Sequence, residues 1–96
     1  MVKVVIKNST SKGKKKMAVF TYDDGKTKTV HFGAAGMSDF TKNKDEKRKA
    51  SYLARHKANE NWNDYDTAGA LSRWILWNKT SLSASIANYK SKFNLT

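Results

Sequence analysis

The sequence lacks cysteine, long apolar runs and a full complement of acidic residues. Without cysteine the chain has no disulfide, thiolate metal site or thiol nucleophile, which fits a reducing, intracellular compartment. No stretch approaches the roughly 18 to 20 apolar residues of a membrane-spanning helix, so we expect no membrane association. The opening residues, Met-Val-Lys-Val-Val-Ile-Lys, are too short and too alternating for a signal peptide, so we expect a protein that is not secreted.

Catalytic and cofactor motifs are missing too. The chain has no HExxH pair, no P-loop and no nucleophile elbow, and "GAAGMSDF" (33–40) lacks the third glycine of a dinucleotide fingerprint. His56, Glu60 and Asp64 could serve a metal-dependent nuclease, but the other histidine, His31, falls on a predicted strand. We therefore predict no enzyme, no cofactor and no metal, and keep the nuclease as an alternative.

The shortage of acids leaves a strong positive charge. Nineteen Lys and Arg against eight Asp and Glu give a net charge of +11 and a pI near 10.0. The charge is +6 over residues 1–33, +1 over residues 34–66 and +4 over residues 67–96. Net charge bears on partners rather than on fold, and a polyanion is the natural partner of such a chain.

The first third predicts β-strands. Val2, Val4 and Ile6 alternate with other residues at the period of a half-buried strand, and a lysine-rich polar loop follows at 8–16. Asp24-Gly25 then predicts a two-residue type I′ turn between two further strands. That turn gives a core face and an opposite face that needs a partner. The core face is Met17, Val19, Val30 and Phe32, and the opposite face is Phe20, Tyr22, Thr29 and His31.

The remaining two thirds predict helices. Asp45, Thr67 and Ser81 are expected N-caps of helices at 46–59, at 68–78 and from 82 onward. The first helix is expected to have one side formed by Ala50, Leu53, Ala54 and Lys57, and the third a stripe of Leu82, Ile86, Tyr89 and Phe93. The prediction is a single α+β domain over 1–96. An N-terminal three-stranded antiparallel meander (1–33) precedes a helical part (34–96) whose three helices pack on one face.

The basic residues predict a nucleic-acid-binding surface. Phosphate contacts release counterions, so affinity without sequence preference grows with the number of cations in contact. DNA is favoured over RNA as the ligand. The expected contacts come from the loop and from the first helix: Lys12, Lys14, Lys15, Lys16, Lys47, Arg48, Lys49 and Arg55. The alternative is a structural or interaction protein, as a homodimer through the face of Phe20, Tyr22 and His31 or the edge of the first strand, or bound to acidic protein partners.

Residues 32–93 resemble a family of small basic proteins encoded by large DNA viruses of protists, including the marseillevirus group. The resemblance rests on "GMSDFT", "KDEKRKASYLARH", "ENW" and "SRWILWNK". The chain departs from the family pattern at Tyr65 and Thr80, where other members often have Pro, and at Asn43, where His is common. The family implies no enzymatic activity. It implies a viral setting, in the virion or in the host cytoplasm or nucleus, and a protein packaged with or acting on the viral genome.

Within this resemblance, "SDF" and "RxxYLxRH" suggest a signature of the fold. Asp39 is expected to cap a helix or bridge to Arg48 or Arg55, with Phe40 and Tyr52 packed beneath. Such a polar contact would join the β part to the first helix.

Overall fold

The computed structural model describes all 96 residues and has an α+β fold. Three strands, β1 (Lys3–Asn8), β2 (Lys14–Thr21) and β3 (Thr27–Ala34), form an antiparallel sheet in the order β1-β2-β3. The helices are α1 (Phe40–Asn43), α2 (Glu46–His56), α3 (Ala68–Leu71) and α4 (Leu82–Phe93). A π-helical turn at Ser72–Leu76 continues α3. The predicted fold class is confirmed. The short helix α1 was not predicted, and α2 ends at His56 rather than at residue 59.

The predicted loop at 8–16 is shorter than expected. Asn8 belongs to β1 and Lys14 begins β2, so the chain reverses over residues 9–13, where Gly13 has a φ of 91°. Lys16 pairs with Asn8 on one side and with Phe32 on the other. Pairing with two neighbouring strands outweighs the weak strand propensity of lysine. Three of the four lysines assigned to a flexible loop therefore lie on a strand.

The β2–β3 hairpin closes through a three-residue loop instead of the predicted two-residue turn. The amide of Tyr22 donates to the carbonyl of Lys26 at 2.8 Å, and that of Gly25 donates to the carbonyl of Tyr22 at 2.9 Å. Asp23, Asp24 and Gly25 form the loop, with Gly25 at a φ of 87°. This is the three-residue hairpin in which glycine occupies the left-handed position.

The longer loop shifts the register by one residue, and the predicted core face of β2 is wrong. A one-residue shift moves a strand's side chains to the other face of the sheet. Ala18 now pairs with Val30, and Met17 pairs with His31. Ala18 and Phe20 are fully buried, whereas Met17 and Val19 are only half-buried. The face that was expected to need a partner is therefore filled from within, because Phe20 packs edge-on against Tyr65 at a centroid distance of 5.8 Å.

The hydrophobic core lies between the sheet and the helical segment that follows α2. Its buried residues are Val4, Ala18, Phe20, Phe32, Leu71, Ile75, Leu76, Tyr89 and Leu95. Leu82, Ile86, Tyr89 and Phe93 all pack in or against this core, as the predicted stripe on α4 requires. The C-terminal Thr96 hydrogen-bonds to Val2 and Val4 and so covers part of the free edge of β1.

Helix α2 packs through a different side from the one that its sequence suggested. Tyr52 is its buried residue, while Ala50 and Ala54 are exposed. The tyrosine ring carries more apolar area than the small alanines, so its position decides which side of the helix faces inward. The three predicted caps are confirmed: Asp45, Thr67 and Ser81 each accept a hydrogen bond from an amide in the first turn of their helix. None of the helices has the length and apolarity that crossing a bilayer demands.

Candidate functional site

A cleft of about 390 Å³ opens at the end of the β2–β3 hairpin that lies opposite the Asp23–Gly25 loop. Lys14 and Gly33 line it from the hairpin, Met37 from the following segment, Arg55 from α2 and Trp77 from the end of the π-helical turn. Its volume falls within the range of about 300 to 1,000 Å³ that small-molecule sites occupy. We call this depression the cleft.

Three stacked rings form one wall of the cleft. The ring of Tyr52 lies between those of Trp77 and His56, at centroid distances of 4.4 Å and 4.2 Å and interplanar angles of 5° and 23°. Trp77 reaches this position because the π-helical turn ends there, with the Trp77 amide donating to the Ser72 carbonyl five residues back. Burial and the nearby Glu60 carboxylate raise the pKa of Tyr52 to about 12, so its phenol stays neutral at physiological pH.

A buried ion pair forms a side wall of the cleft. Lys15 Nζ donates to Asp39 Oδ2 at 2.6 Å, with the two side chains 11% and 3% exposed. Asp39 also caps α1 by accepting from the amide and hydroxyl of Thr41. Although burial opposes ionisation of Asp39, the hydrogen bonds from Lys15 and Thr41 hold its pKa below the ordinary value. The expected cap is confirmed, but the expected bridge to Arg48 or Arg55 is wrong, because Lys15 is the partner.

His56 and Glu60 share one side of α2 and the turn beyond it, as their spacing suggested. His56 Nδ1 lies 3.0 Å from Glu60 Oε2, and Trp62 Nε1 donates to Glu60 Oε1 at 2.8 Å. Asp64 instead lies beside Asp66, near Tyr22 at the other end of the hairpin. No group of three or more His, Asp or Glu residues is arranged to hold a metal ion. The residues of the nuclease alternative are therefore divided between two places.

The structure brings basic residues of both predicted groups to the cleft. Lys14, at the start of β2, and Arg55, on α2, line it together. Lys16 and Lys42 line an adjoining groove, which shares the wall formed by Lys15 and Asp39. Lys12 is exposed in the short loop before Lys14.

The other predicted contacts are placed differently. Arg48 is exposed on α2 two turns before Arg55, about 10 Å along the same side of the helix. Lys47 is exposed on the neighbouring side. Lys15 is held in the buried ion pair, and Lys49 donates to the carbonyl of Asn78 at 2.7 Å while covering the ring of Phe40. These last two cations act mainly within the protein.

Acidic residues concentrate at the opposite end of the hairpin. Asp23 and Asp24 form its loop, and Asp66 accepts from the Tyr22 hydroxyl at 2.7 Å and lies 3.6 Å from Lys28 Nζ. Burial opposes ionisation of Asp66, but the hydrogen bond from Tyr22 and the charge of Lys28 lower its pKa. An eight-residue antiparallel strand spans roughly 24 Å, so the two ends of the hairpin are well separated. The carboxylates of the loop end are paired with the N-terminus, Lys26 and Lys28, so the two ends differ in the unpaired cations that the cleft end carries.

The family assignment follows from the first half of the chain. The sequence model of a family described as "Family of unknown function (DUF5754)" matches residues 4–56, which is more than half of the 96 residues. The chain belongs to the DUF5754 family. The DUF5754 segment contains all three strands, α1 and α2, and with them Lys14, Arg55 and His56. Trp77 and the π-helical turn lie outside it. Comparison with curated proteins and with solved structures gives no match.

Sequence reasoning missed the stacked wall of this DUF5754 cleft. The tyrosine at 52 was expected only to pack beneath Asp39, and no motif indicates the π-helical turn at whose end Trp77 lies. Lys42 was also missed, since its place beside Lys16 depends on the fold of the segment between β3 and α2. The spacing of His56 and Glu60 was the one local signal that led toward the cleft.

Proposed function

We propose that this protein binds nucleic acid, DNA in preference to RNA, through backbone phosphates and with little sequence specificity. The observation that carries the proposal is the convergence of Lys14, Arg55, Lys16 and Lys42 around the cleft and its adjoining groove. These residues come from β2, α1 and α2, so the fold assembles a positive surface that no single segment has. The proposal involves no enzymatic step and no cofactor.

The cations of this surface lack carboxylate partners. Only Lys15, Lys26 and Lys28, among nineteen Lys and Arg residues, form an ion pair with a carboxylate. Lys12, Lys14, Arg48 and Arg55 make no side-chain hydrogen bond, and Lys16 bonds only to the neutral amide oxygen of Asn8. Their charge is therefore available to phosphates without first breaking an internal pair.

The polarity of the molecule supports a defined orientation on a polyanion. A phosphate backbone attracts the unpaired cations of the cleft end, whereas at the loop end Asp23, Asp24 and Asp66 are paired with cations and the net attraction is weaker. Charge arranged in this way steers encounter and raises the rate of association, and the effect weakens as salt increases. We therefore expect the cleft end to face the nucleic acid.

The test is fluorescence anisotropy of a labelled random-sequence DNA duplex titrated with protein at several salt concentrations. The logarithm of affinity is expected to fall linearly with the logarithm of salt, with a slope of about −0.9 for each phosphate neutralised. Replacing Lys12, Lys14 and Lys16 by Ala should lower affinity similarly for all sequences and make the slope shallower by about 2.7, if each lysine neutralises one phosphate. Lys15 is left intact, because its removal would leave the buried carboxylate of Asp39 without a counterion.

The matched control removes the same charge elsewhere, by replacing Lys3, Lys26 and Lys28 with Ala. These residues are exposed at the loop end of the sheet, where Lys3 pairs with Thr21 and Lys28 with Phe20, away from the cleft. We expect the control to change the slope little. Equal effects of the two triple variants would show that charge acts without a site, and no binding at about 50 mM salt would overturn the proposal. A labelled RNA duplex in parallel tests the preference for DNA.

The viral resemblance supports a role on a viral genome, in the virion or in the infected cell. A second candidate, a homodimer or a complex with acidic proteins, is favoured by the uncovered outer face of the sheet. Val5 is 39% exposed there, beside half-buried Val19 and Met17. The dimer face expected from the sequence is divided by the observed register: Phe20 is buried, whereas His31 lies beside Met17 on this outer face. Sedimentation at several concentrations tests the homodimer, and a strict monomer would exclude it.

A further inference from the structure

The cleft has features that phosphate contacts alone do not require. A surface that only attracts a phosphate backbone needs exposed cations, whereas this depression also has an enclosed volume and an aromatic wall. Tyr52, Trp77 and His56 all line it. Met37, which is 65% exposed, stands at its edge and adds apolar surface that adapts readily to a ligand.

The stack of rings leaves its outer end accessible. Trp77 and His56 occupy the two faces of Tyr52, so the stack can be extended only at its ends. The side chain of His56 is 39% exposed. Because every nucleobase has a planar face, stacking on aromatic side chains tolerates all four bases. A base placed against His56 would lengthen an existing stack.

His56 is held in place by its neighbours. Glu60 fixes the ring through Nδ1 and is itself fixed by the indole of Trp62. Gly69 allows the carboxylate to come this close, since a Cβ there would lie 3.1 Å from Glu60 Cδ. The opposite ring nitrogen, Nε2, makes no hydrogen bond within the protein. It is therefore available to a polar edge of a ligand.

The charged groups complete the site. Lys14 and Arg55 line the cleft with no carboxylate partner, while each carboxylate of the wall is already occupied, Asp39 by Lys15 and Glu60 by His56 and Trp62. The chemistry that fits is a planar ring carrying a nearby phosphate. Arg55 and His56 both line the cleft, so a cation and a ring surface border the same depression.

We propose that the cleft binds one unstacked nucleotide of a single strand, with its base against His56 and its phosphate between Lys14 and Arg55. This inference rests on the proposed nucleic-acid binding for the rest of the strand. A base pair inside a duplex has both faces covered by its neighbours and cannot enter. The site therefore gives a preference for single strands, or for frayed ends, over continuous duplex.

The experiment compares two ligands with the same number of phosphates, a labelled single strand and a labelled hairpin duplex, at one salt concentration. Wild-type protein is expected to favour the single strand by about fivefold or more, the contribution of one stacked base. His56→Ala should remove that preference and leave duplex affinity unchanged. His56→Phe, which keeps a ring but loses Nε2 and the Nδ1 contact with Glu60, should retain most of the preference, because Tyr52 still stacks against the ring. The matched control is His31→Ala, since His31 lies on the outer face of the sheet and bonds to Ser9.

A second measurement uses only the wild-type protein, so it does not depend on any variant folding. A nucleoside 5′-monophosphate should displace the labelled single strand at lower concentration than ribose 5-phosphate or inorganic phosphate does. Equal displacement by all three, together with equal affinity for single strand and duplex, would overturn the nucleotide site and leave phosphate binding intact. Binding of the monophosphate without binding of either strand would overturn the proposed function and leave the site as one for a free nucleotide.

Discussion

Lys15 is the residue whose role changes most between sequence and structure. It lies in a run of three lysines (14–16) and was expected to contact nucleic acid. Its ammonium group instead neutralises Asp39 in a nearly inaccessible position. A buried pair of this kind adds little net stability, but loss of one partner leaves an uncompensated buried charge. Lys15 therefore joins β2 to α1 and determines the side wall of the cleft.

Lys15→Met is expected to lower the free energy of unfolding by about 3 kcal/mol, because Asp39 remains buried without its counterion. The measurement is urea unfolding followed by circular dichroism. Lys14→Met is the control, since Lys14 is the exposed neighbour on the same strand. The double variant with Asp39→Asn should recover part of the loss. Similar stabilities for the Lys14 and Lys15 variants would contradict a structural role for the ion pair.

The lowered pKa of Asp39 predicts that the free energy of unfolding changes with pH in the acid range. Its pKa in the folded protein lies below the ordinary value of 3.8 that the unfolded chain retains, so on acidification the unfolded chain takes up the proton first. This contribution is complete above the ordinary value and is lost as pH falls from it toward the folded pKa. Between about pH 6 and about pH 2.5, Asp39→Asn should therefore lose less stability than the wild type does. An identical loss would show that other carboxyls, such as Asp66, carry the whole effect.

Local rules predicted the caps of the helices and missed the partner of Asp39. Asp45, Thr67 and Ser81 act on amides two or three residues away, so neighbouring sequence determines them. The Lys15–Asp39 contact joins residues 24 positions apart. It depends on how α1 packs against β2, and no local pattern records that packing.

At the scale of elements, one loop residue accounts for the largest error in the predicted fold. Strand alternation alone allows either face of β2 to be the core, because Met17 and Val19 compete with Ala18 and Phe20. The hairpin loop decides between them, and Asp24-Gly25 is compatible with loops of two or three residues. Tertiary packing of Phe20 against Tyr65 stabilises the observed register. The predicted elements were therefore largely right, although the contacts between them were not.

Gly33 links β3 to the π-helical turn and gives a prediction at this scale. It has a φ of 79°, and a Cβ there would lie 2.7 Å from Leu76 Cδ1. Leu76 is only 3% exposed and has little room to move. Gly33→Ala should therefore lower the free energy of unfolding by about 1 kcal/mol through backbone strain and by a further ~1–3 kcal/mol through overpacking against Leu76.

Gly36→Ala is the matched control for this substitution. Its φ is 84°, but no atom lies within 4 Å of the added Cβ, so only the backbone strain remains. The difference between the two urea midpoints measures the contact with Leu76. Equal midpoints would mean that the end of β3 and the π-helical turn move apart without cost to accommodate the added Cβ. The part of the cleft lined by Gly33 and Leu76 would then be deformable.

At the scale of the whole molecule, the arrangement of charge matters more than its total. The net charge of +11 was evident from the sequence, but its separation into unpaired cations at the cleft end and paired charges at the loop end required the fold. The sequence placed Lys14 and Arg55 in different segments with no indication that they meet. Composition therefore predicts a polyanion as partner, and this stays a prediction, while the position of the candidate site depended on tertiary structure.

The excess of unpaired cations predicts that sodium chloride stabilises the protein. The molecule measures 41 × 28 × 26 Å, and the screening length falls from about 30 Å at 0.01 M salt to about 8 Å at 0.15 M. At low salt the repulsion between cations therefore extends across most of the protein. At higher salt it is limited to cations within about 8 Å of one another. The urea midpoint should rise over this range, and it should rise less in the variant with Lys12, Lys14 and Lys16 replaced by Ala. A midpoint that falls instead would mean that attraction within pairs such as Lys15–Asp39 and Lys28–Asp66 outweighs repulsion among the unpaired residues.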